Sequence, residues 1–154
     1  MKRPVKVGLV SDTHARFDPL LPALFEGCGR ILHAGDICAL DVIAQLAVLA
    51  PVDAIRGNCD EGLPTMVFPE TRTVAVHGAR VLLVHDLGRP DKPHAHVRTL
   101  LAQERPDVVL SGHSHRGVLL ERDGVLFVNP GSAGRKRFKL LRSAGLLLFG
   151  EGWI

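Results

Sequence analysis

Val109-Leu110-Ser111-Gly112-His113-Ser114-His115 is the stretch on which the reading of the chain turns, an apolar strand running into a turn that bears two imidazoles. Residues two apart on an extended backbone share a face, so both rings can address one metal ion. If Gly112 or Ser114 bends the chain, His113 and His115 aim at two neighbouring ions instead. A solvated loop that happens to contain histidine fits this stretch equally well. The rest of the chain decides among the three.

Val5-Lys6-Val7-Gly8-Leu9-Val10 is β-branched and nearly continuous in its apolar character, as a strand buried on both faces should be. It ends at Ser11-Asp12-Thr13-His14, and the carboxyl ends of strands are where open α/β sheets keep their sites. Asp12 alone also reads as a cap for the segment that follows. The pattern then repeats. Arg30-Ile31-Leu32-His33-Ala34-Gly35-Asp36 is a short apolar strand ending in an acid, with His33 read as a hydrogen-bonded core histidine. Val52-Asp53-Ala54-Ile55-Arg56 is a third strand and leads into Gly57-Asn58-Cys59-Asp60. A fourth strand, Arg80 to Val84, ends at His85-Asp86.

Between these, Pro19 to Glu26 reads as a helix closed by Gly27, and Asp41 as the N-cap of a helix from Val42 to Leu49 stopped by Pro51. Met66-Val67-Phe68, Thr71 to Val76 and Arg80 to Val84 read as antiparallel strands, with His77 in a solvated turn before Gly78. His94 to Glu104 reads as a helix whose His94 and His96 lie on the surface. Asp123-Gly124 joins a hairpin, Asn129-Pro130-Gly131-Ser132 offers backbone amides suited to anions, and Gly145 to Phe149 makes a closing strand.

With 154 residues and 46% hydrophobic content, the chain suits one domain over residues 1–154 with room for a sizeable core. The formal charge of +3 comes with no basic run beyond Arg135-Lys136-Arg137, too little for a nucleic-acid footprint. Three cysteines, Cys28, Cys38 and Cys59, without Cys-x-x-Cys spacing, suggest neither a disulfide framework nor a zinc knuckle. No apolar run reaches membrane-spanning length and none forms a signal peptide's core, so a soluble, cytoplasmic protein is expected.

Collected, the strand-end side chains are Asp12, His14, Asp36, Asn58, His85, His113 and His115. Oxygen and nitrogen donors without thiolate suit manganese, iron, zinc or nickel better than calcium or magnesium. Seven donors exceed one tetrahedral site and match two ions sharing a carboxylate. Arg16 and Arg135 each follow a strand-end loop and are the substrate-binding candidates, because guanidinium grips phosphate oxygens in bidentate fashion.

Asp12-Thr13-His14, Gly35-Asp36, Gly57-Asn58-Cys59-Asp60, His85 and Gly112-His113-Ser114-His115, followed by Asn129-Pro130-Gly131-Ser132, resemble the ordered motifs of the calcineurin-like metallophosphoesterases. Within that family they are most similar to the small YfcE-type phosphodiesterases, and the resemblance spans nearly the whole chain. It implies an α/β (α+β) fold, a four-layer αββα sandwich of two mixed β-sheets flanked by helices. It also implies two divalent metal ions, manganese first among them. Asp12, His14 and His115 would hold the first, Asn58, His85 and His113 the second, and Asp36 would bridge. Asp36, Asn58 and His113 would be the catalytic residues.

The implied reaction is hydrolysis of phosphate esters, foremost diesters, by a metal-bridging hydroxide attacking phosphorus in line. The implied partner is a small phosphodiester or nucleotide-like substrate, with homo-oligomers possible. Two positions depart from the family pattern. Cys59 stands where many relatives carry a histidine that helps protonate the leaving oxygen, and Asp86 stands where glycine is common; Asp86 either orients a ligand or faces water. The alternative is a non-catalytic protein-binding scaffold on the same fold, resembling the small retromer subunit, although here every ligand position is filled.

Overall fold

In the computed structural model, which describes residues 2–154, alternation along each strand decides which layer its side chains join. The elements run β1 (Val5–Val10), α1 (Leu21–Leu24), β2 (Arg30–His33), α2 (Leu40–Leu49), β3 (Val52–Ala54), β4 (Thr71–Val76), β5 (Ala79–Val84), β6 (Gly88–Arg89), β7 (Lys92–Pro93), α3 (Ala95–Glu104), β8 (Val108–Leu110), β9 (Gly117–Arg122), β10 (Val125–Pro130) and β11 (Gly145–Phe149). One sheet has the order β11-β1-β2-β3, the other β4-β5-β8-β10-β9, and β6 pairs with β7 in a small hairpin. β1, β2 and β3 are mutually parallel, as are β5, β8 and β10, while β11, β4 and β9 add antiparallel edges.

Val7 and Leu9 of β1, Leu32 of β2, Val81 and Leu83 of β5, and Val108 and Leu110 of β8 form the core between the two sheets. Their neighbours one residue away face outward. Val10 and Ile31 meet Leu21, Val42 and Leu46 of α1 and α2. Leu82, Val84 and Val109 meet Val97 of α3. β1, β2, β5 and β8 are therefore buried on both faces over most of their length, which is why their sequences read as apolar runs, whereas β3 at the sheet edge carries the ion-paired Asp53. The four layers are helices, sheet, sheet and helix. No helix among the described residues is long and apolar enough to cross a membrane.

The turns of the β4–β5 and β9–β10 hairpins follow from their sequences. His77-Gly78 and Asp123-Gly124 each place two successive residues at positive φ, 54° and 92° in the first and 52° and 76° in the second, the two-residue geometry that suits strand twist. Four expectations need correction. α1 spans only Leu21–Leu24, because no side chain caps its start and the chain turns at Gly27 with φ 73°. Asp41 sits in the first turn of α2, whose N-cap is Ala39. Met66 and Val67 belong to a 3-10 turn, Pro64–Val67, opened by Pro64 rather than to a strand. The His77 ring is only partly open to solvent, and its Nε2 is buried without a hydrogen-bond partner.

His33 closes β2 and is fully buried. Its Nδ1 accepts from the Gly35 N–H at 3.1 Å, so its Nε2 donates to Thr13 Oγ1 at 3.0 Å, and that hydroxyl donates to the Ile37 carbonyl at 3.3 Å. One neutral imidazole thus ties the loop after β1 to the loop after β2. Burial pushes its pKa from 6.5 down to about 3. As pH falls below 6.5 the unfolded chain takes up a proton that the folded chain refuses, so stability is complete above that value and declines toward pH 3, by at most about 1.4 kcal/mol per pH unit. His33→Gln, which keeps a donor and an acceptor, should flatten this slope in thermal unfolding between pH 6.5 and 4; equal slopes in the two proteins would refute the assignment.

Candidate metal centre

The carboxyl ends of β1, β2 and β3 in one sheet and of β5 and β8 in the other deliver their loops to one place. Asp12, His14, Asp36, His113 and His115 all have positive φ, between 46° and 67°, although none is glycine. Each such residue costs on the order of 1–3 kcal/mol and persists only where its surroundings force it. Two glycines make room. A Cβ on Gly112 would sit 2.0 Å from Ser11 Oγ and 2.6 Å from Asp12 Oδ2, and one on Gly57 would sit 2.2 Å from Asp36 Oδ1.

Asp12 is fully buried, and its two oxygens have different fates. Oδ2 accepts from Ser11 Oγ at 2.6 Å and from the His113 N–H at 3.1 Å. Oδ1 has no hydrogen-bond partner among the described residues. It lies 3.2 Å from His115 Nε2 and 3.9 Å from the Nε2 atoms of His14 and His85. Asp36 presents one oxygen to each side of the cluster. Oδ2 lies 3.7 Å from His14 Nε2, while Oδ1 lies 3.4 Å from His85 Nε2 and accepts the Cys59 N–H at 2.8 Å. Asn58 Oδ1 completes the far side, 3.2 Å from His85 Nε2 and 3.1 Å from His113 Nδ1.

The cluster has the donor chemistry of a cation site. His85 donates from Nδ1 to the Ala34 carbonyl at 2.7 Å, which leaves the Nε2 lone pair facing oxygens of Asp12, Asp36 and Asn58. A lone pair aimed at acceptors requires a proton or a metal between them. Burial lowers the His85 pKa, but Asp36 and Asp12 outweigh it and raise the value, so the surroundings favour positive charge at this ring. The Nε2 atoms of His14 and His115 likewise converge at 3.3 Å. Donors about 2.1 Å from a common ion are roughly 3.0–3.4 Å apart, and the spacings of 3.2 Å for Asp12–His115, 3.3 Å for His14–His115 and 3.4 Å for Asp36–His85 fit divalent cations of the zinc or manganese class. The residues compatible with holding one include Asp12, His14 and His115 as one triad and Asp12, Asp36 and His85 as another.

The family model of the calcineurin-like phosphoesterase superfamily domain matches residues 5–151. The chain belongs to the calcineurin-like phosphoesterase superfamily. A probable metallophosphoesterase of Methanothermobacter thermautotrophicus is 34% identical over 133 residues, covering 82% of this chain and 76% of the relative. Among solved structures, vacuolar protein sorting 29 of Cryptosporidium parvum superposes with TM-score 0.79 at 21% identity, over 96% of this chain and 86% of that one. An archaeal phosphodiesterase superposes with TM-score 0.73 at 25% identity, over 93% of each chain.

In this calcineurin-like phosphoesterase the seven expected donors do meet, while the two expected arginines lie differently. Arg16 turns its guanidinium toward Asp18 Oδ2, 3.9 Å away, and Arg135 is exposed with no ion pair among the described residues. In Asn129-Pro130-Gly131-Ser132 the Gly131 amide and two side chains are used inside the protein, so the loop braces its neighbours. Gly131 N–H donates to Asn129 Oδ1 at 2.9 Å, and Asn129 Nδ2 donates to the Gly112 carbonyl at 2.8 Å, bracing the histidine turn. Ser132 Oγ donates to the Asp12 carbonyl at 2.9 Å.

Three other residues carry more of this superfamily site than their sequence context revealed. Asp60 is fully buried and accepts the N–H groups of Ile37 at 3.1 Å, Cys38 at 2.7 Å and Gly57 at 2.8 Å, which locks the Asp36 loop to the Asn58 loop. Cys38 Sγ lies 3.8 Å from His14 Nδ1, and burial, then Asp60 and Asp36, push its pKa up to about 12, so it stays a thiol. Burial lowers the His14 pKa; Asp36 opposes that shift and Arg137 reinforces it. Arg137, two residues beyond the expected Arg135, therefore belongs to the site's electrostatics.

Proposed function

We propose that this phosphoesterase is a phosphodiesterase using two divalent cations, held by Asp12, His14 and His115 on one side and by Asn58, His85 and His113 on the other, with Asp36 between them. The observation that carries the reading is Asp12 Oδ1, a buried carboxylate oxygen without a hydrogen-bond partner that faces three imidazole nitrogens. Cations bound there would lower the pKa of a water and neutralise phosphoryl oxygens. The chain itself supplies orientation. Asp36 keeps its charge across the working pH range: burial raises its pKa, but the His85 imidazole and the Cys59 N–H outweigh that and hold it well below the usual carboxylate range.

A cleft of about 480 Å³ opens beside Asn58, His85 and His113, with Arg56 and His96 on its walls, and offers space for a small diester's leaving group. Arg16 and Arg135 remain the candidates for gripping phosphate, and the field of Arg137 at His14 and Cys59 supports adding it to them. Cys59 is a weak acid here. Burial and the neighbouring Asp36 raise its pKa while Arg137 opposes them, so its thiol holds its proton at neutral pH. The favoured metal is manganese, with iron, zinc and nickel compatible with the donor set.

The second reading is a protein-binding scaffold without turnover: the fold is shared with vacuolar protein sorting 29 proteins, one of which is solved in complex with a cyclic peptide. Hydrolysis of aryl and alkyl phosphodiesters with added manganese separates the two. The enzyme reading predicts metal-dependent turnover; its absence at any metal concentration favours the scaffold. Asp36→Asn should lower turnover by more than the roughly 10–100-fold typical of losing a partner outside the metal's own ligands, and near-normal rates would remove Asp36 from the bridging position. Because general-acid help is worth about 10²–10⁴-fold, nitrophenyl diesters should outpace alkyl diesters by that order. Comparable rates for the two leaving groups would show that another residue supplies the proton.

A further inference from the structure

Of the four imidazoles in the centre, three are held by packing. The side chains of His14, His85 and His115 are 16%, 7% and 11% exposed, whereas that of His113 is 46% exposed. A ring so open to solvent is not fixed by its neighbours' volume, and its orientation must come from polar contacts at its two nitrogens. Nδ1 faces Asn58 Oδ1 at 3.1 Å, toward the centre. Nε2 faces away from it and lies 3.7 Å from Asp86 Oδ2.

Asp86 is itself anchored. Its Oδ1 accepts the Gly88 N–H at 3.0 Å and lies 3.3 Å from His94 Nε2. His94 stands at the N-cap of α3, with its own N–H donated to the Leu87 carbonyl at 3.1 Å, and its ring occupies the space that a Cβ on Gly88 would enter at 3.3 Å. The chain of contacts runs from α3 through His94 and Asp86 to the outer nitrogen of His113.

We infer that Asp86, braced by His94, is a positioning residue that holds His113 in the Nε2–H tautomer with its Nδ1 lone pair turned into the metal centre. The inference rests on the two-cation reading above for its consequence, but its geometry concerns the protein alone. A carboxylate on the outer nitrogen fixes both ring orientation and tautomer and makes the inner nitrogen a better donor. Asp86 lies outside the set of seven donors and need touch neither cation nor substrate. Losing it should weaken binding on the Asn58, His85 and His113 side and spare the Asp12, His14 and His115 side.

Two measurements test this on wild type, Asp86→Ala, Asp86→Asn and His94→Ala. The first is the nitrogen-15 NMR signature of His113 in zinc-loaded protein at neutral pH, where a cation can take the Nδ1 lone pair that faces Asn58 Oδ1; it reads which ring nitrogen carries the proton and does not respond to a general loss of stability. Wild type should show Nε2–H, Asp86→Ala a mixture, and Asp86→Asn, whose amide oxygen still accepts, the wild-type tautomer. The second is calorimetric titration with manganese, where Asp86→Ala should weaken one of the two ions about 10–100-fold and leave the other within a factor of about three, with His94→Ala intermediate. Wild-type tautomer and wild-type affinities in Asp86→Ala would overturn the inference. A wild type that takes up neither zinc nor manganese would sink the two-cation reading, and the positioning role would then stand only if Asp86→Ala changes the His113 ring signals of the metal-free protein.

Discussion

Two buried carboxylates, Asp12 and Asp36, reach the same imidazole, and the structure around them is arranged to keep them there. Oxygens of Asp12 and Asp36 lie within 4.8 Å of each other and of His85 Nε2. Two like charges at that spacing repel by about 3–4 kcal/mol at an effective dielectric constant near 20. Hydrogen bonds answer part of this, since Asp12 Oδ2 takes Ser11 Oγ and the His113 N–H, and Asp36 Oδ1 takes the Cys59 N–H. Asp12 Oδ1 takes none. The arrangement is complete only with positive charge between the acids.

The fold supplies that juxtaposition by placing the carboxyl ends of parallel strands from two sheets edge to edge. β1, β2 and β3 contribute the acids, His14 and Asn58; β5 and β8 contribute His85, His113 and His115. Bonds that cross between loops hold the ends together: His33 to Thr13, Asp60 to the amides of Ile37, Cys38 and Gly57, and Asn129 to Gly112. The left-handed backbone at five of the seven donors is the strain these bonds resist, and it aims side chains across the edge where a regular strand end would carry them past it.

Much of this was legible in the sequence. Apolar runs ending just before Asp12, Asp36, Asn58, His85 and His113 marked the strands whose carboxyl ends meet, because a strand buried on both faces leaves a run and the chain turns polar where it leaves the sheet. Arg80 to Val84 signals only its antiparallel pairing and not its parallel one with β8. Asp123-Gly124 and His77-Gly78 named their turns through the need for positive φ. What failed did so for local reasons: Asp41 lies one residue inside α2, and Pro64 starts a 3-10 turn over residues that look β-forming. The roles of Asp60, Cys38 and Arg137 depend on distances across more than twenty residues of chain, which no spacing encodes. The left-handed conformations of Asp12, His14, Asp36, His113 and His115 are imposed by tertiary contacts and have no local signature.

The most direct test of this account is the number and position of ions in a crystal grown with saturating manganese, located by anomalous scattering and checked by elemental analysis of the protein in solution. Two manganese ions per chain, one of them about 2.0–2.2 Å from Asp12 Oδ1 and both in contact with Asp36, is the predicted result. A single ion at saturation, or ions that leave Asp12 Oδ1 without a partner, would contradict it.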